Sequence, residues 1–347
     1  MLKGTVVFLA VQMAQGFGVS VVIAQLAKHL EYAGASVVVG CLETDGSFDA
    51  EKVCVVEATR PGLLAFLRRV GAAIVIAKTS PFFELLPYFT HEFTCMAWEQ
   101  GDPSPAFFDE DRAHRERIVR HKREAVYGQL HSVITSSRFL RQDIAWPSAR
   151  VIPLGCDHVL DLGPKPMTAL AAANGRPLQI GTLMRLGAGE ARYKGNRIFL
   201  DLHDSVRHAG LDATFHVLGR GTPADARPFE DAGCRVHLNA TDAERAVYLR
   251  NLDIFVSCSL WEGFNLPLVE AQAAGTVGLA FDTGAHPEVT PFVMSCFDDL
   301  LGQIRVYAED RELLLAQSVA AYRFVRQRFR WDLSAYQLQA RIAECAV

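Results

Sequence analysis

Two glutamates, Glu262 and Glu270, bracket the turn Gly263-Phe264-Asn265 in the run SLWEGFNLPLVEAQAAG, residues 259–275. The run follows DIFVSCS, an apolar strand-like stretch. Pro267 stands where a first helical turn favours proline, and Asn265 is the expected cap. Carboxylates beside a helix entrance can accept hydrogen bonds from sugar hydroxyls, while the free amides of that entrance attract a diphosphate. A favourable glutamate–dipole interaction, worth about 0.3–1 kcal/mol, accounts for Glu270 without any ligand. It does little for Glu262, which precedes the helix.

Two other loops carry residue types suited to phosphate. GTLMRLGAGEARYKG, beginning at Gly181, follows a strand and holds Arg185 and Lys194 among glycines. Arg offers a planar fork of donors and Lys a point charge, so both can neutralise a diphosphate. A routine solvated loop with surface charges explains the same residues. Gly16-Phe17-Gly18 follows the first strand and opens a helix, so backbone can approach a ligand there. Val21 stands where a third glycine would complete a dinucleotide fingerprint, and a plain tight turn is the alternative.

These loops need strands to hold them. Short β-branched runs alternate with longer amphipathic ones through most of the 347 residues, the signature of parallel sheets wrapped by helices. Strands are expected at TVVFLAV, SVVVG, VCVV, AIVIA, TCMAW and SVITSS in the first half. LQIGTL, ATFHVLG, CRVHL, DIFVSCS and VGLAF are their counterparts in the second. The length suggests two domains. LGPKPMTALAAANGRP, rich in Pro, Ala and Gly, reads as the linker region between them. Ligands of such sheets bind outside the carboxyl ends of the strands, in the cleft that two α/β halves would form.

A net charge of −4 argues against a nucleic-acid partner, because a phosphate-reading surface usually leaves a basic excess. Eight cysteines are scattered singly, without zinc spacing, and read as buried small hydrophobes of a reducing cytoplasm. No apolar run reaches the roughly 18 residues of a membrane helix. RAHRERIVRHKRE, residues 112–124, carries six Lys/Arg against two Glu. It reads as a solvated face, with contact to an anionic membrane or a lipid-linked acceptor as the alternative. His91 and His131 read as structural.

At this point the residues carry a family resemblance. EGFNLPLVE resembles the E-x7-E signature of family 4 of the retaining GT-B glycosyltransferases (glycosyl transferases group 1), usually EGFGLPxxE followed by A-x-A-x-G. VITSSRFLRQDI with ARVIPLGCD, MRLGAGEARYKG, GAHPEV and FRWDLSAYQLQARI resemble further segments of that family, in family order. The resemblance implies an α/β GT-B fold of two Rossmann-like domains with parallel sheets facing a cleft. Residues 1–160 would form an acceptor-side domain, 161–330 a nucleotide-sugar-binding domain, and 331–347 a helix able to cross back to the first. By position, Glu262 would hold donor-sugar hydroxyls and Glu270 the ribose, while Arg185 and Lys194 would neutralise the diphosphate. Gly263, Phe264, Asn265 and Leu266 would line the donor, and Gly16 and Gly18 would approach its phosphates.

The implied activity is sugar transfer with retention from a nucleotide sugar, a UDP- or GDP-sugar first. The acceptor is the hydroxyl of a glycan, a lipid-linked sugar or a small molecule. No cofactor and no metal is required, and the implied location is cytoplasmic, with peripheral placement at the inner face of the membrane as a variant. Asn265 replaces a common glycine, which would narrow the pocket or add a donor beside the sugar. Met184 replaces the glycine that usually precedes the donor-loop arginine. A family histidine after TCMAW is absent, and Glu99 is the substitute expected to meet the acceptor. A non-catalytic nucleotide-sugar-binding subunit and an epimerase of the same fold are the rival readings. A Rossmann dehydrogenase is disfavoured because the glycine fingerprint is incomplete.

Overall fold

The computed structural model describes residues 4–162 and 175–345; most of the linker run named above lies outside them. The chain divides into two compact units, one of Met1–Pro105, Glu110–Gly155 and Arg330–Val347, the other of Ala106–Asp109 and Cys156–Phe329.

The first unit is built on seven strands: β1 (Thr5–Met13), β2 (Ser36–Thr44), β3 (Val53–Val55), β4 (Ala72–Ala77), β5 (Thr94–Glu99), β6 (Ser132–Thr135) and β7 (Arg150–Val151). They line up as β3-β2-β1-β4-β5-β6-β7, and each neighbouring pair is parallel. Val6 to Ala10 of β1 are fully buried, as expected of a central strand covered on both faces. Phe8 sits in register with Val39 of β2 on one side and Ile76 of β4 on the other. Helix α1 (Gly18–Tyr32) follows β1, and the basic helix α2 (Arg112–His121) follows β5. The last helix, Trp331–Cys345, packs on α1. Its buried Trp331 lies so close to Gly155 that a Cβ there would come within 2.4 Å of the Trp331 nitrogen.

The second unit repeats the plan with β8 (Leu178–Arg185), β9 (Ala213–Arg220), β10 (Arg235–Leu238), β11 (Ile254–Ser257), β12 (Val277–Phe281) and β13 (Val293–Met294). Their order is β10-β9-β8-β11-β12-β13, again all parallel. Ile180, Val217, Ile254, Val256, Val277 and Leu279 meet in one core, each fully buried. Helix α3 (Asn196–His208) follows the long loop after β8. Thr241 opens α4 (Asp242–Asn251) through a reciprocal cap with Glu244, and α5 (Leu266–Ala273) follows β11. Each unit is an α/β fold on a parallel sheet, and every strand expected from the sequence is present.

In each sheet the strand order reverses between the first and fourth strands, β1 and β4 in one, β8 and β11 in the other. Loops leaving the carboxyl ends of those strands diverge at that point, where open α/β sheets take their ligands. The loop after β8 carries Lys194, and the loop after β11 carries Glu262.

Candidate functional site

The loop 186–195 is fastened to the loop 258–265. Gly195 has φ +71°, and a Cβ there would lie 2.0 Å from the Cys258 carbonyl oxygen, so only glycine lets the two backbones approach this closely. The Leu260 amide donates to the Tyr193 carbonyl at 2.7 Å. From the other side, the Ala285 amide donates to the Glu262 carbonyl at 2.9 Å. Gly284, at φ +59°, presses on the same peptide, where a Cβ would come within 2.8 Å of the Glu262 nitrogen.

These fixings bring Lys194 Nζ to 2.8 Å from Glu262 Oε1. The Lys194 side chain keeps 20% of its surface and that of Glu262 11%, so the pair is sheltered but reachable. Tyr193 lies beside the pair with the Lys194 ammonium 5.1 Å from its ring centre. Its ring is packed in turn by Phe107, Phe108 and Trp261. Arg185, at the end of β8, is placed differently: it is exposed and pairs with Glu190 of its own loop.

Asn265 has φ +66°, the left-handed region that a glycine usually occupies and that asparagine tolerates best among the other residues. Its Oδ1 accepts from the Leu268 amide at 3.2 Å and caps α5. Its Nδ2 turns inward, 2.8 Å from Ser257 Oγ and 2.9 Å from His286 Nε2. His286 Nδ1 faces the Phe281 carbonyl at 2.9 Å, which assigns the proton to Nδ1 and leaves Nε2 to accept from Asn265. Burial lowers the pKa of this imidazole. The extra donor expected beside a sugar is therefore engaged in the core. Phe264 and Leu266 are buried too, Phe264 edge-on to Phe329 at 5.5 Å.

Glu270 lies in the first turns of α5 and is completely buried. Its Oε1 is 3.0 Å from His158 Nε2 and 3.4 Å from an Arg245 nitrogen. Burial disfavours the carboxylate charge, but Arg245 and His158 outweigh it and hold the pKa below the ordinary glutamate value. Oε2 has no hydrogen-bond partner among the described residues.

In the first unit, Gly16 has φ +75°, so the turn before α1 demands it. Neither backbone angle nor packing demands Gly18, because a Cβ there would meet nothing within 4 Å. Glu99, at the end of β5, is buried. Its side chain is 1% exposed and is taken up by Lys122 Nζ at 2.9 Å and the Tyr127 hydroxyl at 2.7 Å. Lys122 also pairs with Asp102. Burial works against the Lys122 charge, yet Glu99 and Asp102 prevail and raise its pKa. One of the six cations assigned to the basic helix thus points into the protein rather than to solvent. Of the cysteines, all eight are free, and Cys296 is exposed rather than buried.

The geometry unites Lys194 with Glu262 and sets Glu270 on the helix that follows. His158, Arg245 and His286 escaped the reading of the sequence. A cavity of about 520 Å³ under α4, lined by His216, His237 and Tyr248 among others, includes none of the expected residues. Among the described residues, no cluster of three His, Cys, Asp or Glu side chains is arranged to hold a metal, and no helix is long and apolar enough to cross a membrane.

Residues 180–297, from within β8 to the start of the helix after β13, match the family described as Glycosyl transferases group 1. This segment belongs to the glycosyl transferases group 1. The matched stretch contains Arg185, Lys194, Glu262 and Glu270. Phosphatidyl-myo-inositol mannosyltransferase of Mycobacterium leprae is 26% identical over 232 residues, covering 64% of this chain and 60% of the relative. The Mycobacterium tuberculosis protein of that name matches at 26% over 236 residues, with the same coverage. The match therefore spans about three fifths of the curated relatives' length. Among solved structures, sucrose-phosphate synthase from Thermosynechococcus elongatus superposes with a TM-score of 0.80 at 17% identity, covering 99% of both chains. Anabaena HepE in complex with UDP and glucose gives 0.77 at 16% identity, covering 99% of this chain and 100% of that one. At these identities the structures share the fold.

Proposed function

We propose that this group 1 chain is a retaining glycosyltransferase of family 4, which moves a sugar from a nucleotide-diphosphate sugar to an acceptor hydroxyl. The observation that carries the reading is the Lys194–Glu262 pair, held where the loops after β8 and β11 diverge. In transfer, the bond from the anomeric carbon to the diphosphate oxygen breaks and the acceptor oxygen bonds that carbon on the same face. The leaving phosphate oxygen takes the acceptor proton. Negative charge grows on the diphosphate, where Lys194 and the positive end of the α5 dipole stabilise it in place, an effect that usually supplies the largest share of catalysis. Arg185 joins them by leaving Glu190. Glu262 accepts hydrogen bonds from the sugar hydroxyls, Glu270 from the ribose, and Gly18 gives the backbone access to phosphate. The chemistry requires no metal.

The donor is a UDP- or GDP-sugar, a choice supported by the HepE complexes with UDP and UDP-glucose. A lipid-linked acceptor is supported by the phosphatidyl-myo-inositol mannosyltransferases. The exposed Arg112, Arg117, Arg120 and Arg123 of and beyond α2 would meet an anionic membrane surface at its cytoplasmic side.

Thermal-shift screening with UDP-, GDP-, ADP- and dTDP-sugars identifies the donor, after which sugar transfer is followed by mass spectrometry. Glu262→Ala is expected to lower turnover on the order of 10²–10³-fold while the melting temperature stays within a few degrees. Undiminished transfer by this folded variant would overturn the role of Glu262. Conversion of the donor to its epimer without any acceptor would replace the reading with an isomerase.

A further inference from the structure

We propose that His158 and Arg245 are positioning residues that hold the Glu270 carboxylate by one oxygen, so that its other oxygen is presented to the ribose hydroxyls of a nucleoside diphosphate. This rests on the reading of Glu270 as the ribose contact and explains how a wholly buried side chain performs it.

An isolated carboxylate out of water is costly, and a glutamate buried for stability alone would be expected to fill both oxygens, typically through a two-pronged arginine contact. Glu270 is not held that way. His158 Nε2 donates to Oε1 at 3.0 Å, and Arg245 Nη2 approaches the same oxygen at 3.4 Å. The arginine shares that nitrogen with Asp242, also at 3.4 Å, and leaves its own Nε without a partner. Glu270 Oε2 is buried and without any donor among the described residues. Among the described residues, the two nitrogens that reach this carboxylate thus converge on one oxygen.

An ionised carboxylate only accepts hydrogen bonds, so the group that completes Oε2 must bring a donor. A ribose diol brings two. The three residues come from separate places in the second unit: His158 from the segment after Gly155, Arg245 from the second turn of α4, and Glu270 from α5. His158 restrains the rotation of the carboxylate, and Arg245 keeps it charged. Neither needs to touch the ligand.

Titration calorimetry on the full chain tests this with UDP and GDP, each beside its 2′-deoxy and 3′-deoxy counterparts. The unaltered protein should prefer the ribonucleotide by roughly ten- to a hundred-fold over at least one deoxy analogue, the range for a hydrogen bond to a charged group. His158→Leu and Arg245→Met should each bring that ratio toward one, while His158→Gln, which keeps a donor, should retain most of it. A merely structural role would weaken all the nucleotides in parallel and leave the ratio unchanged; that result overturns the inference. If Arg245→Met does not fold, the two His158 variants decide. No preference for ribose in the unaltered protein overturns the Glu270 reading itself, a failure distinct from the first.

Discussion

Lys78 stands one residue beyond β4 with its side chain wholly inside the first unit. Its Nζ lies 4.1 Å from the centre of a Trp98 ring and has no hydrogen-bond partner among the described residues. Burial drives its pKa well below the ordinary 10.5, and nearby Glu99 only partly opposes this. The unfolded chain therefore binds a proton below about 10.5 that the folded chain resists, so this group costs stability as pH falls from there. Lys78→Met should raise the melting temperature at neutral pH, by on the order of 2–4 °C per kcal/mol recovered. The gain should shrink as pH approaches 10.5. Calorimetry at several pH values checks it, and a lower melting temperature at neutral pH would mean that the amine over Trp98 contributes net stability. Nothing in AIVIAKTS marks Lys78 as buried, since a lysine at a strand end ordinarily reaches water. Arg245 is equally inconspicuous: its partner lies 25 residues further along the chain, and neither helix announces the meeting.

At the scale of elements, the two loops that carry Lys194 and Glu262 meet through side chains and, most closely, at a glycine. Gly195→Ala would place a methyl 2.0 Å from the Cys258 oxygen and strain a left-handed backbone. The conformational part alone costs about 1 kcal/mol, and the clash must push the loops apart. The expected result is a lower melting temperature together with a severalfold weaker affinity for nucleoside diphosphate. Wild-type affinity in a crystal structure with the loops unmoved would contradict this. The strands were legible because a two-faced buried strand needs an unbroken apolar run, and VVFLAV or IFVS can satisfy little else. Only the slight β7 and β13, two residues each, had no run of their own to announce them. Loop positions were legible where they carry charge or glycine, hence Lys194 and Glu262. The inward turn of Asn265 was not: the sequence shows an amide next to Phe264, but the direction of Nδ2 depends on Ser257 and His286. The surroundings of Glu99 were hidden for a related reason, because its partners Lys122 and Tyr127 lie just beyond a helix whose charge pattern looks solvated.

For the molecule as a whole, acid should be more damaging than base around neutrality. Burial is the first cause that lowers the pKa of His216, to about 4, and of His286, in a direction that favours the neutral ring. The unfolded chain takes up protons near 6.5 that the folded chain refuses, so stability is full above that value and falls as pH drops toward about 4. His216→Gln should flatten this decline in a series of melting curves between pH 7 and pH 4, and an unchanged slope would show that His216 does not contribute to it. The order of the chain has its own consequence. The first unit contains Arg330–Val347 although the whole of Cys156–Phe329 intervenes, and Ala106–Asp109 is lent in the opposite direction. During synthesis the residues that cover α1 leave the ribosome only after Cys156–Phe329, so the first unit cannot be completed until most of the second has been made. A gene cut after codon 155 would yield a product lacking the helix that packs on α1, and separately expressed halves should be poorly soluble unless that helix is grafted back.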